Sequence, residues 1–367
     1  MVEVEMVDEV ADIQSYATQT GRPWGLQRIS NDAGATGNPK GQDFIYTFND
    51  DDLLGAGVDI YVVDTGVRTS HAAFEGRATF GANTGVRDVT DGDGHGTHVA
   101  GTAGGAFFGV AQKANIIAIK ILKDDGSGST ISAAQGMERV IDMHNAAKSR
   151  PGFIGSVMSM SWGLGGVSDS TDLIIQSAID AGIHVSVAAG NDGADACLST
   201  PSRNGGTTSS VVSVGAMNID NEVSSFSNIG SCVDIYAPGE QILSAWNISD
   251  TTINFISGTS MACPHVSGVM ATLMALDPEG LGQDPAALKA KLLSTAREGQ
   301  IAGTNELLLS NGANGNLKRL MKNWVVTGTD TEEKRTLTGS PATWAKNIVK
   351  NFGKRWSVHS FDSALRY

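Results

Sequence analysis

Four short runs constrain this chain more than anything else in it: GVDIYVVDTG (57–66), ANIIAIKIL (114–122), IGSVMSMSW (154–162) and IHVSVAAGN (183–191). Each is apolar and β-branched with little alternation, which reads as a strand buried on both sides. SVVSVGA and CVDIYAPG add two more strands. Helical spacing fills the gaps. Ile131, Ala134, Met137, Val140 and Ile141 mark one helix over residues 130–148, stopped before Arg150-Pro151. Residues 170–181 form a second, with Gly182 as its C-terminal cap. Helical patterns return from Ser260 to Leu276 and from Pro285 to Ala296. Strands alternating with helices give an α/β fold, a mostly parallel sheet covered on both faces. Ligands of such sheets sit beyond the carboxyl ends of the strands, where Asp64, Trp162 and Asn191 fall.

Composition narrows the function. The 367 residues suffice for one large domain or two ordinary ones. Glycine, at 45 residues, is in excess, as a protein with many tight turns requires. A net charge of −13 opposes general nucleic-acid binding. No apolar run reaches the roughly 20 residues that span a membrane. The N-terminus shows neither the basic n-region nor the apolar h-region of a signal peptide. Cys197, Cys232 and Cys263 allow one disulfide and one free thiol, and their number alone does not name a compartment. From Lys318 onward the character changes: ten Lys and Arg face four Asp and Glu, a segment of +6 on a remainder of −19.

Four motifs carry candidate chemistry: DTG (64–66), DGDGHGTHVAG (91–101), AAGN (188–191) and SGTSMACPH (257–265). Singly, each has an ordinary reading. DTG is also a strand end and turn, and aspartic proteases need two copies where there is one. HGTH sets two imidazoles about one helical turn apart, but a zinc site wants a third ligand with no obvious candidate here. The Asp91-Gly92-Asp93 loop reads as solvated. Together and in this order the motifs are specific. The chain resembles the subtilase family of serine proteases, in its proteinase K-like branch, over about Thr20 to Leu309. VVDTGV, GHGTHVAG and SGTSMACPHVSG match its three active-site blocks, and WGLQRIS, HAAFEGRA, LKDDGSGS, SFSNIGSCVDIYAPG and NELLLSNG match elsewhere.

The resemblance implies a subtilisin-like three-layer fold and a serine endopeptidase. Ser260 is the expected nucleophile, His95 the general base and acid, and Asp64 the group that holds and stabilises the imidazole. Asn191 and the Ser260 N–H are the expected oxyanion donors. Pro264 is expected in the first turn of the serine's helix, where its missing N–H costs little. Ser257, Ser267, His98 and His265 read as structural, and Cys263 as a buried small side chain near the nucleophile. Peptide substrate would add as a strand between Gly126-Ser127-Gly128 and Ser161-Trp162-Gly163-Leu164, which explains broad specificity. Trp162 to Leu164 and Ala188, Ala189 and Gly190 would line the S1 pocket. The family more often has a smaller aliphatic residue at position 162 and glycine at 164.

Cys197 and Cys232 match a disulfide of several proteinase K-like enzymes, which implies an oxidising, extracellular setting with the leader outside this chain. No cofactor is expected for catalysis. Structural calcium is, with Asp32, Asn218 and Asp220 as candidate ligands. The expected partners are protein and peptide substrates and an inhibitory propeptide, not nucleic acid, and the protein is expected to be a monomer. VEVEMVDEV resembles the last strand of that propeptide, which divides the chain into a remnant (1–16), a catalytic domain (17–317) and a basic extension (318–367). In the extension, Trp344, Ile348, Phe352 and Trp356 have the spacing of a basic amphipathic helix. Asn247-Ile248-Ser249 is a glycosylation sequon if the protein is secreted. The competing function is a catalytically silent subtilase fold used as a binding module. An α/β-hydrolase esterase is opposed by the absence of a G-x-S-x-G elbow.

Overall fold

In the computed structural model, which describes residues 16–49, 53–84, 88–207 and 209–313 and the backbone of 357–358, all six expected strands enter one sheet. The elements run β1 (Tyr16–Arg22), α1 (Trp24–Ser30), β2 (Phe44–Asn49), β3 (Val58–Asp64), β4 (Ala78–Asn83), α2 (His95–Gly104), β5 (Asn115–Lys120), α3 (Thr130–Ala147), β6 (Gly155–Met160) and α4 (Asp169–Asp180). There follow β7 (His184–Ala188), β8 (Val212–Met217), β9 (Ile235–Pro238), β10 (Ile242–Ala245), β11 (Thr252–Ile256), α5 (Thr259–Leu276), α6 (Pro278–Leu281), α7 (Pro285–Thr295) and β12 (Ser357–Val358). The main sheet has seven strands in the order β4-β5-β3-β6-β7-β8-β9. Every pairing in it is parallel.

Strand order fixes where a site can be built. The chain begins the sheet at β3, fills one side with β4 and β5, then crosses back to place β6 on the other flank. Loops leaving β5 and β6 therefore diverge over the carboxyl end of β3, a topological switch point. Asp64 is the last residue of β3.

Two apolar layers cover the sheet. On one face Met137 and Val140 of α3 and Ile175 and Ala178 of α4 pack on Val63, Ile119, Met158 and Val185. On the other, Val99 and Ala103 of α2 and Met261, Val266, Val269 and Met270 of α5 pack on Ile60, Val62, Ile116 and Val214. Helix α5 is buried from Thr259 to Ala275, which is why its sequence shows no polar stripe. Helix starts follow ordinary capping. Ser129 and Ser132 form a reciprocal capping box on α3, Ser168 caps α4, and Asp284 caps α7 ahead of Pro285. Gly182 follows α4 at φ +90°, the left-handed cap its sequence predicts.

Two details differ from the sequence reading. Ile131 is 69% exposed. The buried stripe of α3 instead runs through Ala133, Gly136, Met137, Val140, His144 and Ala147. Pro264 lies in the second turn of α5, not the first, because that helix starts at Thr259. Residues 2–7 and the helical pattern at 344–356 lie outside the described residues. Of the extension, β12 pairs in parallel with β11, Thr252 opposite Ser357.

Candidate active site

Helix α2 starts at His95 itself, directly after Gly94 at φ +110°. A Cβ on Gly94 would meet the Trp246 ring at 2.7 Å, so only glycine lets the chain turn into the helix there. His95 Nδ1 lies 2.7 Å from Asp64 Oδ1, and both side chains are buried. The Thr65 N–H donates to the same oxygen at 2.7 Å. Burial alone would lower the imidazole pKa. The Asp64 carboxylate and its hydrogen bond, with Asp93 and Asp91 behind it, overcome this and raise it.

The first turn of α2 leaves three N–H groups without helical partners, and side chains take all three. His95 N donates to Asp93 Oδ1 at 3.0 Å, Gly96 N to Thr65 Oγ1 at 2.9 Å, and Thr97 N to Asp91 Oδ2 at 2.9 Å. Asp91, expected to be solvated, is only 6% exposed. Its Oδ1 also accepts from Thr65 Oγ1 at 2.9 Å and Gly94 N at 2.8 Å, and its Oδ2 from Thr97 Oγ1. Burial pushes this carboxyl up, and the donors from Thr97, Gly94 and Thr65 pull against that. One carboxylate thus ties the end of β3 to the start of α2. The sequence carried no signal for this role, because an acid three residues before the N-cap glycine is not a capping position by helix-start rules.

Ser260 is the second residue of α5, after Gly258. Its Oγ donates to the Ser161 carbonyl at 3.0 Å, and Ser161 Oγ donates back to the Ser260 carbonyl at 3.0 Å. Pro264 explains the second bond. Lacking an N–H, it cannot donate to the carbonyl four residues earlier, which is that of Ser260. Ser161, at the end of β6, supplies the replacement donor.

Asn191 follows β7. Its Oδ1 accepts from Thr259 N at 2.8 Å and Thr259 Oγ1 at 2.9 Å. This fixes the amide so that its Nδ2 faces the start of α5. A Cβ built on Gly258 would lie 3.6 Å from both Asn191 Nδ2 and Ser260 N, so the two donors flank one spot. Gly190, at φ +104°, has no room for a Cβ against the Asn228 amide, and its N–H donates to Thr259 Oγ1 at 3.1 Å.

The expected cleft segments lie on either side of this centre. Gly126, Ser127 and Gly128 follow β5, with Ser127 and Gly128 exposed. Ser161 to Leu164 follow β6: Ser161 is buried, Gly163 exposed, and Leu164 N donates to the Thr200 carbonyl at 2.8 Å. Trp162 is half-buried and its ring packs against the α3–α4 apolar layer. Ala188 and Ala189 are buried at the end of β7.

Other candidates sort clearly. Burial holds His98 down to about 3 and His265 to about 4; they bond the carbonyls of Ile242 and Met261. Both are neutral core residues. Cys263 is fully buried beneath Ser260, beside Ser159 and Ser186, and burial raises its thiol. Cys197 and Cys232 form a disulfide with Cα atoms 5.3 Å apart. In the chain-entropy model a loop of this length contributes about 3–4 kcal/mol. Asn247, half-buried, spends its amide on the Asp91 carbonyl at 3.0 Å, which opposes glycan attachment there.

The calcium candidates do not fit a calcium site as they stand. Asp32 is paired with Arg297 at 2.6 Å. Asn218 Oδ1 accepts from Asp220 N and Glu222 N within its own turn, each at 3.0 Å. Among the described residues no group of three or more His, Cys, Asp and Glu is placed to hold a metal ion.

Comparison with known proteins places this geometry. The model of the subtilase family matches residues 55–319. A subtilisin-like serine protease of Penicillium rubens, Pen ch 18, is 42% identical over 324 residues, 84% of this chain and 63% of that protein. This chain therefore spans less than two thirds of that relative's length. A cuticle-degrading serine protease of Arthrobotrys oligospora is 40% identical over 82% of this chain and 70% of its own. The crystal structure of a cold-adapted subtilisin-like serine proteinase matches with a TM-score of 0.69 at 38% identity, covering 80% of this chain and all of the other.

Proposed function

The chain belongs to the subtilase family, and from that premise we propose that it is a serine endopeptidase working through Asp64, His95 and Ser260. The observation that carries the reading is the buried 2.7 Å contact between His95 Nδ1 and Asp64 at the sheet's switch point. That contact commits Nδ1 and leaves Nε2 to act on the serine. The Ser260 hydroxyl, which rests on the Ser161 carbonyl, turns about one side-chain bond to donate to Nε2. Its oxygen attacks the substrate carbonyl while the proton passes to His95. The oxyanion is held by the Ser260 N–H and the Asn191 amide, with the N-terminal end of α5 adding its partial positive charge. His95 then protonates the leaving amine. Water hydrolyses the acyl-enzyme with the same base. No step needs a cofactor.

Peptide would enter as a strand between residues 126–128 and 161–164, read mainly through its main chain. This supports broad specificity toward protein substrates, with Trp162 and Leu164 shaping the S1 pocket beside Ala188–Gly190. The disulfide fits a secreted protein. Residues 1–16 as a propeptide remnant, 17–317 as the catalytic domain and a monomeric state complete the proposal.

The test is hydrolysis of a peptide p-nitroanilide by the full chain. Ser260→Ala and His95→Ala should each lower kcat by about 10⁶-fold. Activity surviving either substitution contradicts the assignment, and an inactive but folded parent chain favours the binding-module reading.

A further inference from the structure

The interior holds a cation that the proposed reaction does not use. Lys289 is on α7 between Leu288 and Leu292, and only 7% of it is exposed. Its ammonium lies 2.6 Å from the Gly206 carbonyl oxygen, 2.9 Å from that of Ser209 and 2.6 Å from that of Val211. A fourth oxygen, Asp234 Oδ1, is 2.7 Å away. Asp234 is buried too, and its carboxylate also accepts from Gly206 N at 3.1 Å and Ser213 N at 2.8 Å. Burial pushes the Asp234 carboxyl up, and the Lys289 ammonium draws it back.

The chemistry of this cage is more specific than a salt bridge. Three main-chain carbonyls and one carboxylate form an all-oxygen donor set of the kind that binds hard cations such as Ca²⁺. The carbonyls come from the segment that leads into β8, and the carboxylate from the residue just before β9. An ammonium has three protons for the four oxygens, so it is held as a charge rather than by one directed bond. Calcium was expected at Asp32, Asn218 and Asp220; the Asp32 carboxylate is paired with Arg297, and the Asn218 amide oxygen is taken by the backbone of its own turn. Here the chain supplies the cation from its own side chain.

We propose that Lys289 is a tethered structural cation, filling an oxygen cage that takes a free hard cation once the lysine is removed. The tether makes this part of the fold independent of ion concentration, joining α7 to the entry of β8 and the start of β9. Deleting the side chain removes the charge but leaves the four oxygens. A contraction of a few tenths of an ångström brings them to the 2.3–2.6 Å of calcium, and the vacated stem leaves space for the waters a larger coordination number needs.

The test uses the full chain carrying Ser260→Ala, so that self-digestion does not intrude. Lys289→Ala, Lys289→Met and the parent are melted in EDTA and in excess calcium. In EDTA, Lys289→Ala should melt roughly 5–10 °C below the parent, for an unpaired buried carboxylate in a domain of this size. Calcium should restore at least half of that difference. Lys289→Met, whose apolar stem still fills the space, should lose as much and regain nothing beyond the parent's own calcium shift. Terbium luminescence should rise in Lys289→Ala over the parent and fall again on adding calcium. The proposal is overturned if Lys289→Ala melts with the parent in EDTA. It is overturned equally if the loss is the same in calcium, sodium and potassium as in EDTA. Should Lys289→Ala fold only when calcium is present, the proposal stands; should it fold in neither condition, Lys289→Ser, which also vacates the space, is judged by the same criteria.

Discussion

The starts of α2 and α5 solve the same placement problem in opposite ways. Each helix opens directly after a glycine, and each carries a proposed catalytic side chain in its first two positions. At α2 the three orphan N–H groups are all consumed by Asp93, Thr65 and Asp91. At α5 the Thr259 N–H is taken by Asn191. Among the described residues no side chain caps the Ser260 N–H. A saturated helix start is rigid, which suits an imidazole held against one carboxylate. A helix start with a donor in reserve suits an oxyanion that exists only during the reaction. The positive end of a helix thus serves as scaffold in one place and as reagent in the other.

Asn191 offers the largest break in this contrast. Asn191→Leu removes the side-chain donor and should lower kcat by about 10²–10³-fold with KM little changed. An equal rise in KM instead would make Asn191 a substrate-binding residue.

Asp91→Asn probes the saturated end. The amide cannot accept from all five donors, which are the Thr65 and Thr97 hydroxyls and the N–H groups of Asp93, Gly94 and Thr97, so His95 should lose alignment, at a cost of roughly 10–100-fold in kcat with KM preserved. The pH profile separates this from general damage. His95 must be neutral to accept a proton, and its pKa is raised by Asp64, Asp93 and Asp91, with the buried neutral His98 nearby. Activity should therefore fall as pH drops through a value above the ordinary imidazole pKa. Removing the Asp91 charge lowers that value, so the acid limb should move to lower pH. An acid limb that stays in place would reduce Asp91 to a purely structural cap.

The Ser161–Pro264 pairing sharpens the other end. Ser161→Ala leaves the Ser260 carbonyl buried without a donor and should destabilise the protein by about 1–3 kcal/mol in urea unfolding. Ser161→Ala with Pro264→Ala returns a helical N–H to that carbonyl and should recover part of the loss. Strict additivity of the two substitutions would refute the link between them. The smallest effect is expected at Cys263, fully buried with a raised thiol. Iodoacetamide should leave it unlabelled in the native protein, and Cys263→Ala should leave kcat/KM unchanged. Rapid labelling would mean that the core beneath α5 opens.

What the sequence disclosed and what it hid have physical reasons. The buried strands were legible because a parallel sheet covered on both faces demands unbroken apolar runs. Asp64, His95, Asn191 and Ser260 were legible as motifs at strand ends and beside glycines. Helix α2 was not read as a helix, because HGTHVAGTAG has poor propensity and is held by caps from distant residues. Strands β1 and β2 were missed because their pairing, Tyr16 opposite Asn49, depends on tertiary contact. Asp91 and Lys289 look like solvated charges in a string of letters. Only the fold brings Thr65 and Thr97 to the one, and three carbonyls and Asp234 to the other.

The central claim is that Asp64, His95 and Ser260 form one working unit. Labelling the folded full chain with a fluorophosphonate probe, and locating the adduct by peptide mass spectrometry, tests it most directly. A single adduct on Ser260 that disappears in His95→Ala is the predicted result. An adduct on another serine, or none in protein shown to be folded, would contradict it.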